Sequence, residues 1–315
     1  MVALERIYGL GTGVLSFLYL IFVLNSIQMA SMLVYPFSKP LFRNINRWCA
    51  RSIWGLWVLM GEVQNKIEVR FTGNRVPLRE NALVLPNHQS MADIMVVLCL
   101  NWRCGRLGDT KFFVKDVIKY FPGFGWGMKF LDCIFVKRDW AKDKEDVRRL
   151  FEKYKKENIP IFLVSFLEGT RLTPAKLEAA QNFAKERGAA IPERTLVPRT
   201  KGFVASLEGL GDHLNAVYDV TIAYPDFTPT LVNCFERKVR RIEVNVRRFE
   251  IQELPTSEEG RTAWVFERYR EKEALLAAFA KEQRFPGPEW PDRVTVLDWL
   301  RPESRRRSMS SSPAA

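Results

Sequence analysis

The residues best suited to proton transfer lie in one short stretch, Leu83-Val-Leu-Pro-Asn-His-Gln-Ser-Met-Ala-Asp93, where an apolar run delivers a histidine and then a carboxylate five residues on. An imidazole exchanges a proton near neutral pH, and a carboxylate on its second nitrogen fixes the tautomer and stabilises the imidazolium. His88 and Asp93 can form such a pair if residues 84–86 end a strand and a helix begins near Ser90. Asp93 would then sit in the first turns of that helix, within reach of a loop-borne His88. H-x4-D is a short pattern that ordinary chains contain by chance, so the surrounding elements have to carry the argument.

A second group follows the apolar run at residues 161–167, which reads as a buried strand and leads directly into Glu168-Gly-Thr-Arg171. A glycine permits close approach, a threonine donates, and an arginine grips phosphate oxygens in a fork, so this corner could hold a phosphate. A plain turn with an ion pair fits the same four residues. Lys137 and Arg138 close another strand-like run at 133–136, as phosphate contacts or as ordinary surface charges. His213, in a polar turn, reads as structural.

These groups need elements to position them. Residues 66–72 alternate charged and apolar side chains as a half-solvated strand, and 82–85, 215–224 and 241–249 read as further strands. Helices are predicted at 91–100, 140–156, 177–188, 203–210 and 257–283, the 140–156 helix presenting a solvated charged face. Residues 121–130 suggest a compact turn and short helix, and 195–202 a short strand followed by a basic loop. This alternation predicts an α/β fold with a mixed, largely parallel sheet flanked by helices. In such folds reactive residues lie just past the carboxyl ends of strands.

At 315 residues the chain can bury a sizeable core. Its 48 Lys+Arg against 36 Asp+Glu, a formal net charge of +12, suggest an anionic partner such as anionic membrane lipid or a phosphorylated substrate. Five scattered cysteines without C-x-x-C suggest neither a disulfide framework nor a zinc site, and two histidines argue against a histidine-rich metal centre, so no metal ligands are assigned. No nucleic-acid-binding signature and no G-x-S-x-G elbow is present.

Residues 9–37 carry no charge and can span a bilayer, while 45–63, with Trp48, Trp54 and Trp57 among Arg47 and Arg51, resembles an interfacial helix. The pair reads as a membrane hairpin whose Arg43, Arg47 and Arg51 face the cytoplasm. A cleaved leader and two buried helices of a soluble protein are the competing readings. The expected organisation is an anchor over 1–65, a catalytic domain over 66–255, a helix and Pro-rich segment over 256–300, and a disordered Arg/Ser-rich tail over 301–315.

Taken in order, Asn87-His88 to Asp93, Phe135-Val-Lys-Arg138, Glu168-Gly-Thr-Arg171 and Val197-Pro198 resemble the four motifs of the glycerolipid acyltransferase family that includes 1-acylglycerol-3-phosphate acyltransferases. Leu167 stands where that family usually has proline before the glutamate, which leaves the acceptor headgroup less defined than the reaction. The resemblance implies that His88 acts as general base on the sn-2 hydroxyl of lysophosphatidic acid and that Asp93 orients it. It implies that Glu168, Gly169, Thr170 and Arg171, with Lys137 and Arg138, bind the phosphate side of the acceptor. Val197 and Pro198 would shape the acyl-donor or acyl-chain region. Acyl-coenzyme A or acyl carrier protein would serve as co-substrate, with no resident cofactor, and Ser90 and Cys99 would be bystanders. The same chemistry on lysophosphatidylglycerol or lysocardiolipin is the nearest alternative. From another class, a non-catalytic basic membrane-binding protein would explain the charge and the anchor.

Overall fold

The computed structural model describes residues 2–137, 139–188 and 190–290, so Arg138 and the expected tail lie outside the described residues. The chain begins with helix α1 (Val2–Leu18), a π-helical turn Tyr19–Leu24 and α2 (Asn25–Ser31), followed by α3 (Lys39–Val58). Ser38 starts α3 by accepting the Leu41 N–H at 3.3 Å, with Pro40 in the first turn. After β1 (Glu68–Gly73) come β2 (Ala82–Pro86), α4 (Ala92–Arg103), β3 (Thr110–Lys115), α5 (Phe124–Phe130), β4 (Ile134–Val136) and α6 (Trp140–Lys156). The remainder is β5 (Phe162–Val164), α7 (Pro174–Glu186), α8 (Lys201–Leu210), β6 (Ala216–Ala223), α9 (Leu231–Phe235), β7 (Arg241–Glu250) and α10 (Glu258–Glu282).

The seven strands form one sheet in the order β1-β7-β6-β2-β5-β3-β4. Every pairing is parallel except β6 with β7, which is antiparallel. The expected mixed, largely parallel sheet is therefore observed. Helices cover both faces, as a sheet with central strands buried throughout requires. Along β2, Ala82 and Val84 join the core beneath α3 and α4, while Leu83 and Leu85 join the core beneath α6, α8 and α10. That division is the period of two that a strand imposes.

The structure departs from or adds to the expected elements in four places. Strand β3 was not anticipated, because Lys111 interrupts its apolar pattern; the lysine is buried nonetheless and donates to the Leu131 carbonyl at 2.6 Å. No strand forms at 195–200, since the N–H groups that would build a ladder are spent on carboxylates described below. Helix α6 is not solvated all round: Val147, Phe151 and Tyr154, at helical spacing, fill the second core. The hairpin's two arms differ in kind. Arg6–Ser31 is the one helix among the described residues long and apolar enough to cross a membrane, with Ile7, Val14, Leu15 and Phe22 exposed. Trp54 and Trp57 of α3 are buried in the core that also holds Val84 and Trp102, so packing continues unbroken across residue 65. Arg43 pairs with Glu157, and Arg47 grips Asp109 with bonds of 2.5 and 2.9 Å, so neither forms a free basic surface.

Candidate active site

Strand β2 ends at Pro86, and the next two residues set the site. Asn87 is fully buried and pairs like backbone: its Nδ2 donates to the Ile222 carbonyl at 3.0 Å and its Oδ1 accepts the Ile222 N–H at 2.7 Å. This extends the β2–β6 register by one residue and delivers His88 at the carboxyl edge of the sheet. Helix α4 then returns Asp93, and His88 Nδ1 lies 2.9 Å from Asp93 Oδ2. The same oxygen accepts the N–H groups of Gln89 and Ser90 at 2.7 and 2.8 Å, and Tyr224 donates to Oδ1 at 2.5 Å. A carboxylate excluded from solvent is thus held by four partners, as burial demands. With Nδ1 engaged, Nε2 is the ring nitrogen left for chemistry, and the ring stacks on Phe166 with centroids 4.1 Å apart.

His88 lines a cleft of about 1030 Å³. Gly169, Thr170 and Arg171 line it from the turn after β5, and Val197 and Pro198 from the segment before α8. Phe113, Val114 and Ile118 form an apolar wall, while Lys115, Arg199 and Lys201 add cations. Among the described residues, Arg171, Arg199 and Lys201 have no carboxylate partner, although most arginines elsewhere in the chain do. The cleft therefore offers a general base, apolar surface and an excess of positive charge to one ligand, Asp143 being its one carboxylate among the described residues.

The turn is built to meet the histidine. Gly169 has φ +67°, and a Cβ there would lie 3.2 Å from Arg199 Nε, so glycine serves both the left-handed backbone and the close approach of the guanidinium. Lys176 Nζ donates to Thr170 Oγ1 at 2.6 Å and the Leu172 N–H donates to the His88 carbonyl at 2.8 Å. Glu168 does not line the cleft. It is buried, one oxygen accepting the His88 N–H at 2.8 Å and the other the Leu196 N–H at 3.0 Å. Burial pushes its carboxyl up to about 8, the two N–H bonds pulling the other way. Its place is under the histidine, away from the expected phosphate contact.

Lys137 is exposed and is not part of the cleft lining; its N–H donates to Asp143 Oδ1 at 2.9 Å. His88 and Arg171 line the same cleft, and Arg138 lies outside the described residues. Ser90 Oγ accepts the Ala92 N–H at 3.0 Å and donates to the Pro229 carbonyl, and burial raises the Cys99 thiol well above its ordinary range, so neither is presented as a nucleophile. His213 Nε2 lies 2.8 Å from the Ile159 carbonyl, a structural contact. Tyr224 and Asn87 are among the contributors to the site whose roles were not anticipated, with Phe166 and the cleft residues of β3. A tyrosine ending the strand beside β2 was the available signal.

A family model described as Acyltransferase matches residues 68–224, and one described as Acyltransferase C-terminus matches 233–309. The chain is 35% identical over 270 residues to 1-acyl-sn-glycerol-3-phosphate acyltransferase 3 of Arabidopsis thaliana, covering 84% of this chain and 72% of that one. It is 31% identical over 286 residues to 1-acyl-sn-glycerol-3-phosphate acyltransferase delta of Homo sapiens, covering 88% and 76%. The crystal structure of the 1-acyl-sn-glycerophosphate (LPA) acyltransferase PlsC from Thermotoga maritima superposes with a TM-score of 0.52 at 18% identity, covering 87% and 96% of the two chains. At that identity the likeness speaks for the fold.

Proposed function

Since the chain belongs to the family of 1-acyl-sn-glycerol-3-phosphate acyltransferases, we propose that it transfers an acyl group from a thioester to the sn-2 hydroxyl of lysophosphatidic acid, giving phosphatidic acid and a free thiol. The observation that carries this reading is the position of His88, backed by Asp93 and lining a cleft that carries both cations and apolar side chains. His88 Nε2 takes the hydroxyl proton as the oxygen attacks the thioester carbonyl. The tetrahedral intermediate then expels the thiolate, which recovers the proton from the imidazolium. Asp93 holds the ring in the tautomer that leaves Nε2 unprotonated and stabilises the charge that forms. No acyl-enzyme is needed.

Arg171 supports a phosphate-binding role by its place in the cleft with no carboxylate paired to it among the described residues, and holding the headgroup orients the hydroxyl towards His88. Phe113, Val114 and Ile118 suit an acyl chain, as do Val197 and Pro198. The thioester carrier is coenzyme A or acyl carrier protein. We place the apolar helix Arg6–Ser31 in the bilayer with the catalytic domain on the cytoplasmic side. Asn25 of that helix exchanges bonds of 3.2 and 2.8 Å with Gly123, five residues beyond Ile118, so the mouth of the cleft would lie near the lipid from which both amphiphiles come.

The test is to offer purified protein acyl-coenzyme A with a panel of lysophospholipids, following thiol release and identifying products by mass spectrometry. Thiol release that depends on lysophosphatidic acid, with phosphatidic acid as product, is expected. Turnover only with lysophosphatidylglycerol or lysocardiolipin would move the assignment to that acceptor.

A further inference from the structure

Helix α10 lies outside the cleft apart from Phe266, yet two consecutive residues on it grip the elements that present His88. Lys272 is fully buried, and its ammonium donates to the carbonyls of Leu85 at 3.0 Å and Val220 at 2.6 Å and pairs with Asp219. Its buried charge is thereby met by two carbonyls and one carboxylate. Leu85 is three residues before His88 on β2, and the Val220 carbonyl also accepts the Asn87 N–H at 3.3 Å. The lysine therefore sits where β2 and β6 release the chain into the active-site loop.

Glu273, the next residue, works on the other side. One of its oxygens accepts the Thr195 N–H and the Thr195 hydroxyl, each at 2.7 Å, and the Arg194 N–H lies 3.0 Å from both oxygens. Thr195 precedes Leu196, whose N–H is the second donor to Glu168, and Glu168's first oxygen holds the His88 N–H. A carboxylate fixing several N–H groups makes strong, directional bonds. A single turn of helix thus reaches His88 by two routes: through the end of β2, and through Thr195, Leu196 and Glu168.

We propose that Lys272 and Glu273 are positioning residues that set the His88 backbone relative to the Val197–Pro198 wall, making the C-terminal helix part of the apparatus that presents the base. Neither lines the cleft, so their loss acts on kcat and leaves the KM for lysophosphatidic acid near that of the wild type. The proposal rests on the reading of His88 as the base.

Glu273→Gln tests it, because the residue is only partly buried and the substitution keeps its shape while setting an amide N–H₂ against N–H donors. In the intact protein, kcat for acyl-coenzyme A with lysophosphatidic acid should fall about 10- to 100-fold, the scale of a displaced catalytic group, at temperatures well below the unfolding transition. Glu168→Gln should fall similarly, and the double variant should lose no more than the worse single one, since both act through the Leu196 segment. Should Glu273→Gln not fold, Thr195→Val, which removes one donor only, should show a smaller fall in kcat with the same unchanged KM for lysophosphatidic acid. A folded Glu273→Gln with wild-type kcat, a loss confined to KM, or losses that multiply in the double variant would each overturn the proposal. Wild-type protein that releases no thiol would sink instead the reading on which it rests.

Discussion

Glu168 Oε1 accepts the His88 N–H at 2.8 Å, so the acidic residue of the third motif is bonded to the backbone of the first. The contact changes what the carboxyl does with pH. Burial holds its folded value near 8, above the ordinary carboxylate range it would recover on unfolding. The native state therefore binds a proton that the unfolded chain releases. This group's stabilising contribution is complete at acid pH below the unfolded value, and it declines as pH rises towards and through 8. Glu168→Gln should flatten that part of the stability profile. Urea unfolding of both proteins from pH 5 to 9 measures it, and identical slopes would show that Glu168 carries no such proton.

The His88–Asp93 pair predicts the largest loss of activity. His88→Ala removes the base, and Asp93→Asn leaves the ring without the partner that fixes its tautomer, so each should lower kcat about 10²- to 10⁴-fold. Tyr224→Phe deletes one of four partners of a buried carboxylate and should destabilise the fold by about 1–3 kcal/mol, with a milder fall in kcat. Steady-state rates and thermal unfolding on the same preparations separate these effects. A His88→Ala protein that still released thiol at the wild-type rate would remove the mechanism.

How much of this was legible in the sequence depends on how far apart the partners lie. The pairing of His88 with Asp93 spans five residues and shows in the spacing, and the apolar runs of β2 and β5 announce buried strands. Helix α6 occupies the span its sequence predicts, although its buried stripe is masked by charged neighbours. Strand β3 stayed hidden because Lys111 resembles a solvent residue, and its burial is met by the Leu131 carbonyl and the Tyr154 ring. The bonds of Glu168 reach residues 80 and 28 positions away, and the Tyr224–Asp93 bond spans 131. No local pattern encodes such partners; the sheet order brings them together. The motif Glu168-Gly-Thr-Arg171 accordingly divides, with Arg171 in the cleft and the acid beneath the base.

Gly169→Ala isolates the turn that makes this division possible. A left-handed φ of +67° is costly for alanine, by about 1 kcal/mol or more, and the new Cβ would press on Arg199 Nε and Cδ at 3.2 and 3.3 Å. The expected result is a lower Tm together with weakened substrate binding, because the displaced guanidinium belongs to the cleft wall. Thermal unfolding and KM measurements check both. A variant with wild-type Tm and KM would mean that the turn adapts at no cost.

Arg171 tests the ligand side of the same turn. Its guanidinium is exposed in the cleft with no carboxylate beside it among the described residues, and Lys176 steadies the loop from behind through Thr170 Oγ1 and the Arg171 carbonyl. A fork of donors on a phosphate is worth roughly 1.5–3 kcal/mol per charged hydrogen bond, so Arg171→Ala should raise the KM for lysophosphatidic acid at least about tenfold. Arg171→Lys keeps the charge without the fork and should fall between the two. Added salt should raise the wild-type KM for the acceptor more than that of the alanine variant, because an exposed charge is screened. Kinetics with each substrate varied in turn decide the matter: a change confined to the donor KM would reassign Arg171 to the carrier and leave the acceptor phosphate to other cations of the cleft.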